Sequence, residues 1–324
     1  MKKYRILVTA VGAIVGYGII SALRDSGYDI EIIGCDIYEE AVGRYFADDF
    51  VVSSPAADPF YPEFLKNLID EKQIDLVLFG IEQEISSVYM NMEKFEGYLS
   101  RLVINNPDII PLCDDKWQTY MWLNEHNLEQ YAIDSVINGN FEDISDRFGT
   151  PFLIKPRISR GSKGIVSISA AFDFDYHKAK LGSNFMAQPI VSDQANEYTV
   201  GLFGLGDGSY INEIYLRRTL SQEGATAKAW TVEDTELKAA VEAITAVLKP
   251  EGPTNYQFRK QQEKVFLLEI NPRISSSVSI RSKFSYNEAK MSIEYYLEGK
   301  RPDRVEVKKG KAIRYISDLV LGLW

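Results

Sequence analysis

The chain has 324 residues, of which 45% are hydrophobic and 25% are charged, proportions that are ordinary for a globular protein. Its length exceeds what one small core can organise and predicts two or three lobes. The formal net charge is −10, from 36 basic and 46 acidic residues, which argues against a nucleic-acid-binding surface. No run approaches the roughly 20 apolar residues of a membrane span, and the first residues lead directly into a strand pattern rather than a signal peptide.

Cysteine and histidine are scarce, and this narrows the chemistry. The two cysteines, Cys35 and Cys113, cannot form a disulfide framework or a zinc cluster, so the reducing cytoplasm is the expected setting. His126 falls in a helical run and His177 in a charged segment, which are ordinary surface or packing positions. Acid–base or metal chemistry based on histidine is therefore not expected.

The first third of the chain alternates strand and helix patterns. Apolar strand-like runs cover residues 5–10, 29–35 and 74–79, and helical patterns run to about residue 26 and over 60–72. This alternation predicts a parallel sheet with helices on both faces. A break near residues 107–111 precedes a predicted helix over 112–127. We therefore predict three units, with boundaries 1–111, 112–187 and 188–324.

The loop after the first strand resembles a nucleotide-binding loop only in part. Gly12, Gly16 and Gly18 open the first helix, where backbone N–H groups bind anions. Asp36, at the end of the second strand, stands where dinucleotide-binding folds hold a ribose. The glycine spacing does not match G-x-G-x-x-G, however. An NAD-dependent oxidoreductase is therefore the weaker alternative, and close packing of helix on strand explains the glycines without a ligand.

A second chemical pattern lies in the predicted middle lobe. Lys155 interrupts the apolar strand pattern of residues 151–156, and a buried ammonium needs an anionic partner such as phosphate. The next segment, 157–164, is small and basic and contains Gly161, Ser162, Lys163 and Gly164. Its N–H groups and cations suit phosphate oxygens, although the P-loop motif is absent. The plain alternative is a hairpin turn.

A third pattern is a strand, a loop and a new strand that begins with an acid. Gln188, Ile190 and Val191 end the first strand, and Glu197 begins the next one. Such a hinge would seat adenine against the backbone, and the acid would reach the ribose hydroxyl groups.

The most informative segment is Val265-Phe-Leu-Leu-Glu269-Ile-Asn271-Pro-Arg273. Side chains alternate across a strand, so Glu269, Asn271 and Arg273 are predicted to share one face. A carboxylate and an amide oxygen suit Mg²⁺, and a guanidinium can fork onto a phosphoryl group. The segment therefore predicts one end of a Mg·nucleotide site, the alternative being a strand with a solvated end.

The order of these pieces resembles the ATP-grasp superfamily, within it the group of the carbamoyl-phosphate synthetase large subunit. Residues 271–277, followed by Ser282 and Lys283, look like the segment after that subunit's metal ligands. The resemblance covers nearly the whole chain. It implies an ATP-grasp fold of mixed α/β and α+β class, with an N-terminal parallel α/β lobe, a small lid lobe and a C-terminal lobe with an antiparallel sheet.

The resemblance also implies nucleotide-binding roles for most of these side chains. Lys116 and Lys155 would contact the phosphates, and residues 161–164 would cover them as a mobile flap. Gln188, Ile190 and Val191 would line the adenine pocket, with Glu197 on the ribose. The loop before Glu197 is somewhat long compared with the family pattern, which leaves Asp193 as a rival ribose ligand.

The metal roles follow in the same way from the resemblance. Glu269 would bridge two Mg²⁺ ions, with Asn271 on one and Gln257 on the other, and Mn²⁺ is an expected substitute. Arg273 would stabilise the transferred phosphoryl group. Gln257 stands where many relatives have an acid, which predicts a weaker second metal site.

The implied activity is that of an ADP-forming carboxylate–amine ligase, in which ATP converts a carboxylate to an acyl phosphate that an amine attacks. The chain shows one ATP-grasp unit and no internal repeat, unlike carbamoyl-phosphate synthetase. The substrates are expected between the first lobe and the ATP site, near residues 80–84, with Arg217 and Arg218 as candidate carboxylate or acyl-phosphate ligands. Small-molecule substrates are the expected partners, without nucleic acid or membrane, and a homodimer stays open. A nucleotide-binding protein without catalysis is the remaining alternative.

Overall fold

The computed structural model describes residues 3–159, 163–222 and 224–322, with the backbone alone at Gln194. Its strands form three sheets of four, three and six strands, which matches the predicted division into an α/β lobe, a lid lobe and an antiparallel lobe. Among the described residues, no helix has the length and apolarity that crossing a bilayer requires.

The first sheet is entirely parallel, as predicted, with strand order β3-β2-β1-β4. Its core joins β-branched and leucine side chains of the strands to the flanking helices. The strand β3 was not predicted from the sequence. The elements are β1 Tyr4–Val8, α1 Ile14–Arg24, β2 Ile30–Asp36, β3 Asp49–Val52, α2 Tyr61–Glu71, β4 Leu76–Leu78 and α3 Glu82–Met90.

The glycines after β1 serve close packing. A Cβ atom at Gly16 would lie 2.3 Å from the carbonyl oxygen of Ala10, and one at Gly18 would lie 2.9 Å from Val278 Cγ1. The backbone N–H of Gly12 donates to Asp36 Oδ2 across 2.8 Å. The packing alternative therefore accounts for these glycines, and Asp36 is engaged by the loop itself.

The predicted continuous helix over 112–127 was wrong. Two helices occur instead, α4 Ile110–Asp114 and α5 Lys116–Glu125. Asp115 has extended backbone angles, and its side chain accepts the N–H of Trp117 across 2.9 Å, so it caps α5. Asp115 also pairs with Arg157 Nη2 at 2.5 Å. The interruption therefore ties the start of α5 to the lid lobe.

The lid lobe has a three-stranded antiparallel sheet in the order β6-β5-β7. Strands β5 and β6 pair antiparallel, and Phe152, Phe174 and Phe185 pack in the core. The elements are α6 Phe141–Phe148, β5 Phe152–Pro156, β6 Val166–Ile168, α7 Ala171–Leu181 and β7 Phe185–Pro189.

The third sheet is antiparallel, in the order β12-β11-β8-β9-β10-β13. Helix α8 packs on one face of it, whereas α9 and α10 return to the first lobe, where Val278 and Ala289 join the core around β1 and α1. The predicted fold class is thus confirmed. The elements are β8 Glu197–Leu205, β9 Tyr210–Leu220, β10 Thr226–Thr231, α8 Thr235–Leu248, β11 Glu251–Gln261, β12 Lys264–Asn271, α9 Val278–Lys283, α10 Glu288–Ser292 and β13 Lys311–Ile313.

Candidate active site

A cavity of about 1020 Å³ opens between the lid sheet and the six-stranded sheet. This volume is at the upper end of those that hold nucleotide-sized ligands. Ten residues selected from the sequence line it: Lys116, Lys155, Lys163, Gln188, Ile190, Val191, Asp193, Glu197, Gln257 and Glu269. The structure therefore brings together side chains that are up to 153 positions apart in the chain.

A β-bulge directs Glu269 into this cavity. Gln257 pairs with Glu269 and Phe258 pairs with Leu267, which leaves Leu268 as the extra residue of β12. Val265 and Leu267 pack in the core beneath α8, and so does Ile270. In a regular strand Glu269 would share the face of Val265 and Leu267, because side chains alternate with a period of two. The bulge reverses the phase, so that Leu268 and Glu269 both line the cavity.

Three side chains whose oxygen atoms could bind a metal ion lie close together where β11 pairs with β12. Gln257 lies opposite Glu269 in the pairing of the strands, and Asn271 Nδ2 donates to Glu269 Oε1 across 3.2 Å. Gln257 Oε1 accepts from Arg218 Nη2 across 2.5 Å. One carboxylate and two amides thus lie close together, and two of these side chains, Gln257 and Glu269, line the cavity.

Glu197 is buried and held by two arginines. Its Oε1 is 2.8 Å from Arg218 Nη2, and its Oε2 is 3.1 Å from Arg259 Nη2. Arg259 also lines the cavity, and its Nε is buried without a hydrogen-bond partner among the described residues. Sequence reasoning missed Arg259, although its position two residues after Gln257 on β11 could have indicated it. A ribose role for Glu197 stays a prediction.

Two lysines give the cavity its positive side. Lys155 is 6% exposed. Burial, together with the charge of nearby Lys116, lowers the pKa of its ammonium to about 7, although Glu269 opposes the shift. Lys116 Nζ donates to the backbone oxygen of Ser159 across 3.0 Å. A buried lysine with a depressed pKa has a strong electrostatic need for an anion, and a phosphate supplies one.

The hinge and the lid loop border the same cavity. Gln188 Nε2 donates to Ser135 Oγ across 2.7 Å, so this side chain is fixed in the lid, whereas Ile190 is 42% exposed. Asp193 also lines the cavity, and its Oδ1 accepts from Asn196 across 2.8 Å. Gly164, which lies shortly before β6, has a positive φ of 79°. The predicted phosphate ligands Gly161 and Ser162 lie outside the described residues.

Arg217 and Arg218 do not lie together. As neighbours on β9 they point to opposite faces. Arg218 is 5% exposed and contacts Glu197 and Gln257, whereas Arg217 is exposed, and its Nε donates to the backbone oxygen of Ala195 across 2.7 Å. The described residues that line the cavity do not include Arg217. Arg217 and Arg218, which were predicted together as candidate ligands, therefore lie on opposite faces of the sheet.

Arg273 lies at a second, smaller cavity of about 40 Å³ that adjoins the first. Lys116, Ser159 and Glu269 line both cavities. Arg273 Nε donates to Glu82 Oε1 across 2.9 Å, and its Nη2 donates to the same oxygen. Glu82 begins α3, directly after the parallel strand β4, and the carboxyl ends of parallel strands are where α/β folds bind ligands. The acceptor region predicted near residues 80–84 thus contacts the predicted metal end of the site.

Comparison with known proteins agrees with this architecture. Residues 185–319 match the family described as ATP-grasp in the biosynthetic pathway with Ter operon. The carbamoyl phosphate synthase large chain of Buchnera aphidicola is 21% identical over 281 residues, which cover 81% of this chain and 25% of that one. The chain thus spans about a quarter of the length of this relative.

Solved structures share the fold over nearly the whole chain. N5-carboxyaminoimidazole synthetase from Staphylococcus aureus superposes with a TM-score of 0.70 at 16% identity, covering 94% of this chain and 81% of that one. Biotin carboxylase from Campylobacter jejuni gives a TM-score of 0.71 at 12% identity, with 95% and 74% covered. The chain therefore has the ATP-grasp fold, and its sequence is similar to that of the carbamoyl phosphate synthase large chain.

Proposed function

We propose that the chain is an ATP- and Mg²⁺-dependent ligase that converts a carboxylate to an acyl phosphate and transfers the acyl group to an amine, with ADP and phosphate as the other products. The observation that carries the proposal is the convergence of Lys116, Lys155 and Glu269 on one cavity, next to Arg273 at the adjoining one. The similarity to an ATP-dependent family supports it.

The donor set fits one magnesium ion better than two. Mg²⁺ binds through one or two carboxylates together with substrate phosphates, and Glu269 with the amide oxygen of Asn271 suits this need. Among the described residues, no group of three or more Asp, Glu, His or Cys side chains could hold a metal ion. Gln257 already accepts from Arg218, which weakens it as a ligand of a second ion. Bound metal would neutralise charge on the transferred phosphoryl group.

The residues of the chain supply position and charge rather than proton transfer. In phosphoryl transfer, catalysis comes mainly from alignment and electrostatic stabilisation. Lys155 and Lys116 face the region where phosphates would lie, and the hinge at Ile190 and Val191 would hold the adenine. Arg273 and Glu269 both line the smaller cavity, and Glu269 also lines the larger one. Arg273 is therefore the group proposed to contact the phosphoryl group as it passes to the carboxylate.

Trapping of the acyl phosphate tests this proposal. The purified chain is incubated with ATP, Mg²⁺, hydroxylamine and pools of amino acids, keto acids and sugar acids. ADP release and a ferric-hydroxamate assay are read together. We expect one pool to raise ADP release and yield a hydroxamate. Absence of both with every pool would reject carboxylate activation, and ATP-analogue binding by thermal shift would then favour the non-catalytic alternative.

A further inference from the structure

The segment that follows β5 is fastened on two sides. On the side of the lid sheet, the backbone N–H of Arg157 donates to the backbone oxygen of Asn184 across 2.8 Å. The side chain of Asn184 accepts the N–H of Ile158 across 2.9 Å and donates to its backbone oxygen across 3.1 Å. On the other side, the backbone N–H of Lys116 donates to the backbone oxygen of Arg157 across 3.1 Å. The segment therefore joins the lid sheet to the start of α5.

An ion pair accompanies the second of these attachments. Arg157 Nε donates to Asp115 Oδ1 across 3.2 Å, and Nη2 donates to Oδ2 across 2.5 Å, so the guanidinium forks onto the carboxylate. Their side chains are 23% and 12% exposed, which limits the screening of the pair by salt. Asp115 directly precedes Lys116, and Arg157 follows Lys155 by two positions. The fork therefore connects the backbone around one lysine to the backbone around the other.

Lys116 and Lys155 are held near each other although their charges repel. Both line the large cavity, and the charge of Lys116 contributes to the low pKa of Lys155. Lys116 Nζ donates to the backbone oxygen of Ser159 across 3.0 Å and to its Oγ across 3.3 Å. These oxygens orient the ammonium but carry no negative charge with which to cancel it. In the protein without ligand, the attachments between α5 and the segment after β5 therefore have to offset this repulsion.

We propose that Arg157 is a positioning residue for nucleotide binding: its fork onto Asp115 holds Lys116 beside Lys155, so that both ammonium groups face one phosphate chain. This inference rests on the nucleotide-binding part of the proposed function. The described residues that line the two cavities at the site do not include Arg157, so it acts through the lysines. Cations that are already in place bind a polyanion without a further cost of ordering. Without the fork, this cost falls on ligands that carry phosphates but not on the nucleoside.

The test compares a ligand that carries phosphates with one that does not. The probes are a non-hydrolysable ATP analogue with Mg²⁺, titrated by calorimetry, and adenosine, measured by displacement of the analogue. The variants are Arg157→Met, Asp115→Asn and the double variant. Asparagine keeps the cap of α5, because it is as good an N-cap as aspartate, and it removes only the charge.

Arg147→Met is the matched control. Arg147 on α6 also forks onto a carboxylate, with 2.9 and 2.6 Å to the two oxygens of Asp134. Its side chain is 50% exposed, and neither residue belongs to the described lining of the large cavity. This variant should keep the wild-type affinity for both probes.

In Arg157→Met and in Asp115→Asn, we expect the affinity for the analogue to fall about tenfold, the size expected for one charge-assisted hydrogen bond. The double variant should lose no more than either single variant, because the same contact is broken in all three. The affinity for adenosine should stay at its wild-type value. Arg157→Lys should recover only part of the loss, since an ammonium cannot fork onto a carboxylate. Asp115→Asn carries the test if Arg157→Met does not fold.

Four results would overturn the inference. Equal losses for the analogue and for adenosine would make the fork a support of the lid fold only. An unchanged affinity for the analogue would show that the backbone attachments alone hold the lysines. Losses that multiply in the double variant would show that the two side chains act separately. A wild-type protein that binds the analogue no more tightly than adenosine would leave no phosphate contribution to organise.

Failure of the proposed function is a different result. The binding measurements need no carboxylate. A wild-type protein that binds the analogue but forms no hydroxamate with any carboxylate pool would lose the ligase assignment, while the comparison of the two probes would still decide the role of Arg157.

Discussion

The guanidinium of Arg218 donates to the side-chain oxygen of Gln257 across 2.5 Å, so one of the oxygens expected to bind a metal already has a cationic partner. The same guanidinium pairs with buried Glu197. Arg218 therefore links Glu197 on β8 to Gln257 on β11, and both of these residues line the cavity. Loss of these contacts should affect stability as well as catalysis. Arg217, the exposed neighbour of Arg218 on β9, provides a matched control.

Arg218→Met should lower the free energy of unfolding by about 3 kcal/mol, the lower end of the range for a broken buried pair, because Arg259 still contacts Glu197. Arg217→Met should change it by no more than about 0.5 kcal/mol, since that side chain is exposed. Urea denaturation followed by tryptophan fluorescence measures both. Similar losses in the two variants would contradict the burial difference between them.

Glu269→Gln should abolish ATP turnover while the fold is kept. The substitution removes the carboxylate from the proposed Mg²⁺ site, which should cost several kcal/mol of transition-state stabilisation, and about 4 kcal/mol corresponds to roughly 10³-fold in rate. ADP release and circular dichroism are the measurements. Glu263→Gln, in the exposed turn between β11 and β12, is the control and should keep full activity. Near wild-type turnover in Glu269→Gln would contradict the metal assignment.

The sequence predicted seven of the thirteen described strands and some of the cavity-lining residues, because these depend on local patterns. The apolar run of β12 and its polar end can be recognised in the amino-acid sequence. The bulge at Leu268 cannot, since it depends on pairing with β11. Glu269 and Asn271 still share a face, as predicted, because the extra residue, Leu268, comes before both of them and the strand alternates regularly after it.

The partners of buried charges could not be predicted in the same way. The contacts of Glu197 with Arg218 and Arg259 join three strands, and the contact of Arg273 with Glu82 spans 191 positions. Such contacts are set by tertiary packing rather than by local propensity. The pair Arg217 and Arg218 illustrates the same limit, because adjacency in sequence means opposite faces on a strand.

Lys155→Met should stabilise the ligand-free protein near pH 7 and weaken its response to nucleotide. The pKa of Lys155 is about 7 in the folded chain, below the ordinary lysine value of about 10.4. Between these values the unfolded chain binds more protons, so wild-type stability should rise with pH across that window. Below pH 7 the Lys155 side chain is charged in both the folded and the unfolded chain. The full cost of burying its charge therefore lowers the stability of the folded state there.

Thermal unfolding from pH 6 to 10, with and without a non-hydrolysable ATP analogue and Mg²⁺, separates these two effects. The methionine variant should lack the increment of stability that wild type gains above about pH 7. Its stabilisation by the analogue should be smaller, because a phosphate partner has been lost. Lys180→Met, on the surface of α7, is the control. A loss of ligand-free stability in Lys155→Met at pH 7 would contradict the burial argument.

Arg273→Ala should suppress hydroxamate formation more than it weakens nucleotide binding. A group that acts mainly on charge developing during transfer lowers the rate without an equal loss in ground-state affinity. We expect about 10²–10³-fold less hydroxamate, the size typical of a lost electrostatic contact in the transition state, and a change of only a few fold in the affinity for the ATP analogue. Arg273→Lys should restore little, since a single ammonium cannot fork onto a phosphoryl group.

The alternative is that Arg273 has a structural role only, as the ion-pair partner of Glu82 between two lobes. That alternative predicts a drop in stability with an unchanged ratio of hydroxamate to free phosphate, and an equal effect from Glu82→Gln. Measuring melting temperature, analogue affinity and the product ratio in both variants therefore decides between the two roles. The proposed role requires the ratio to fall in Arg273→Ala, since phosphate released to water does not need a carboxylate held in line with the transferred group.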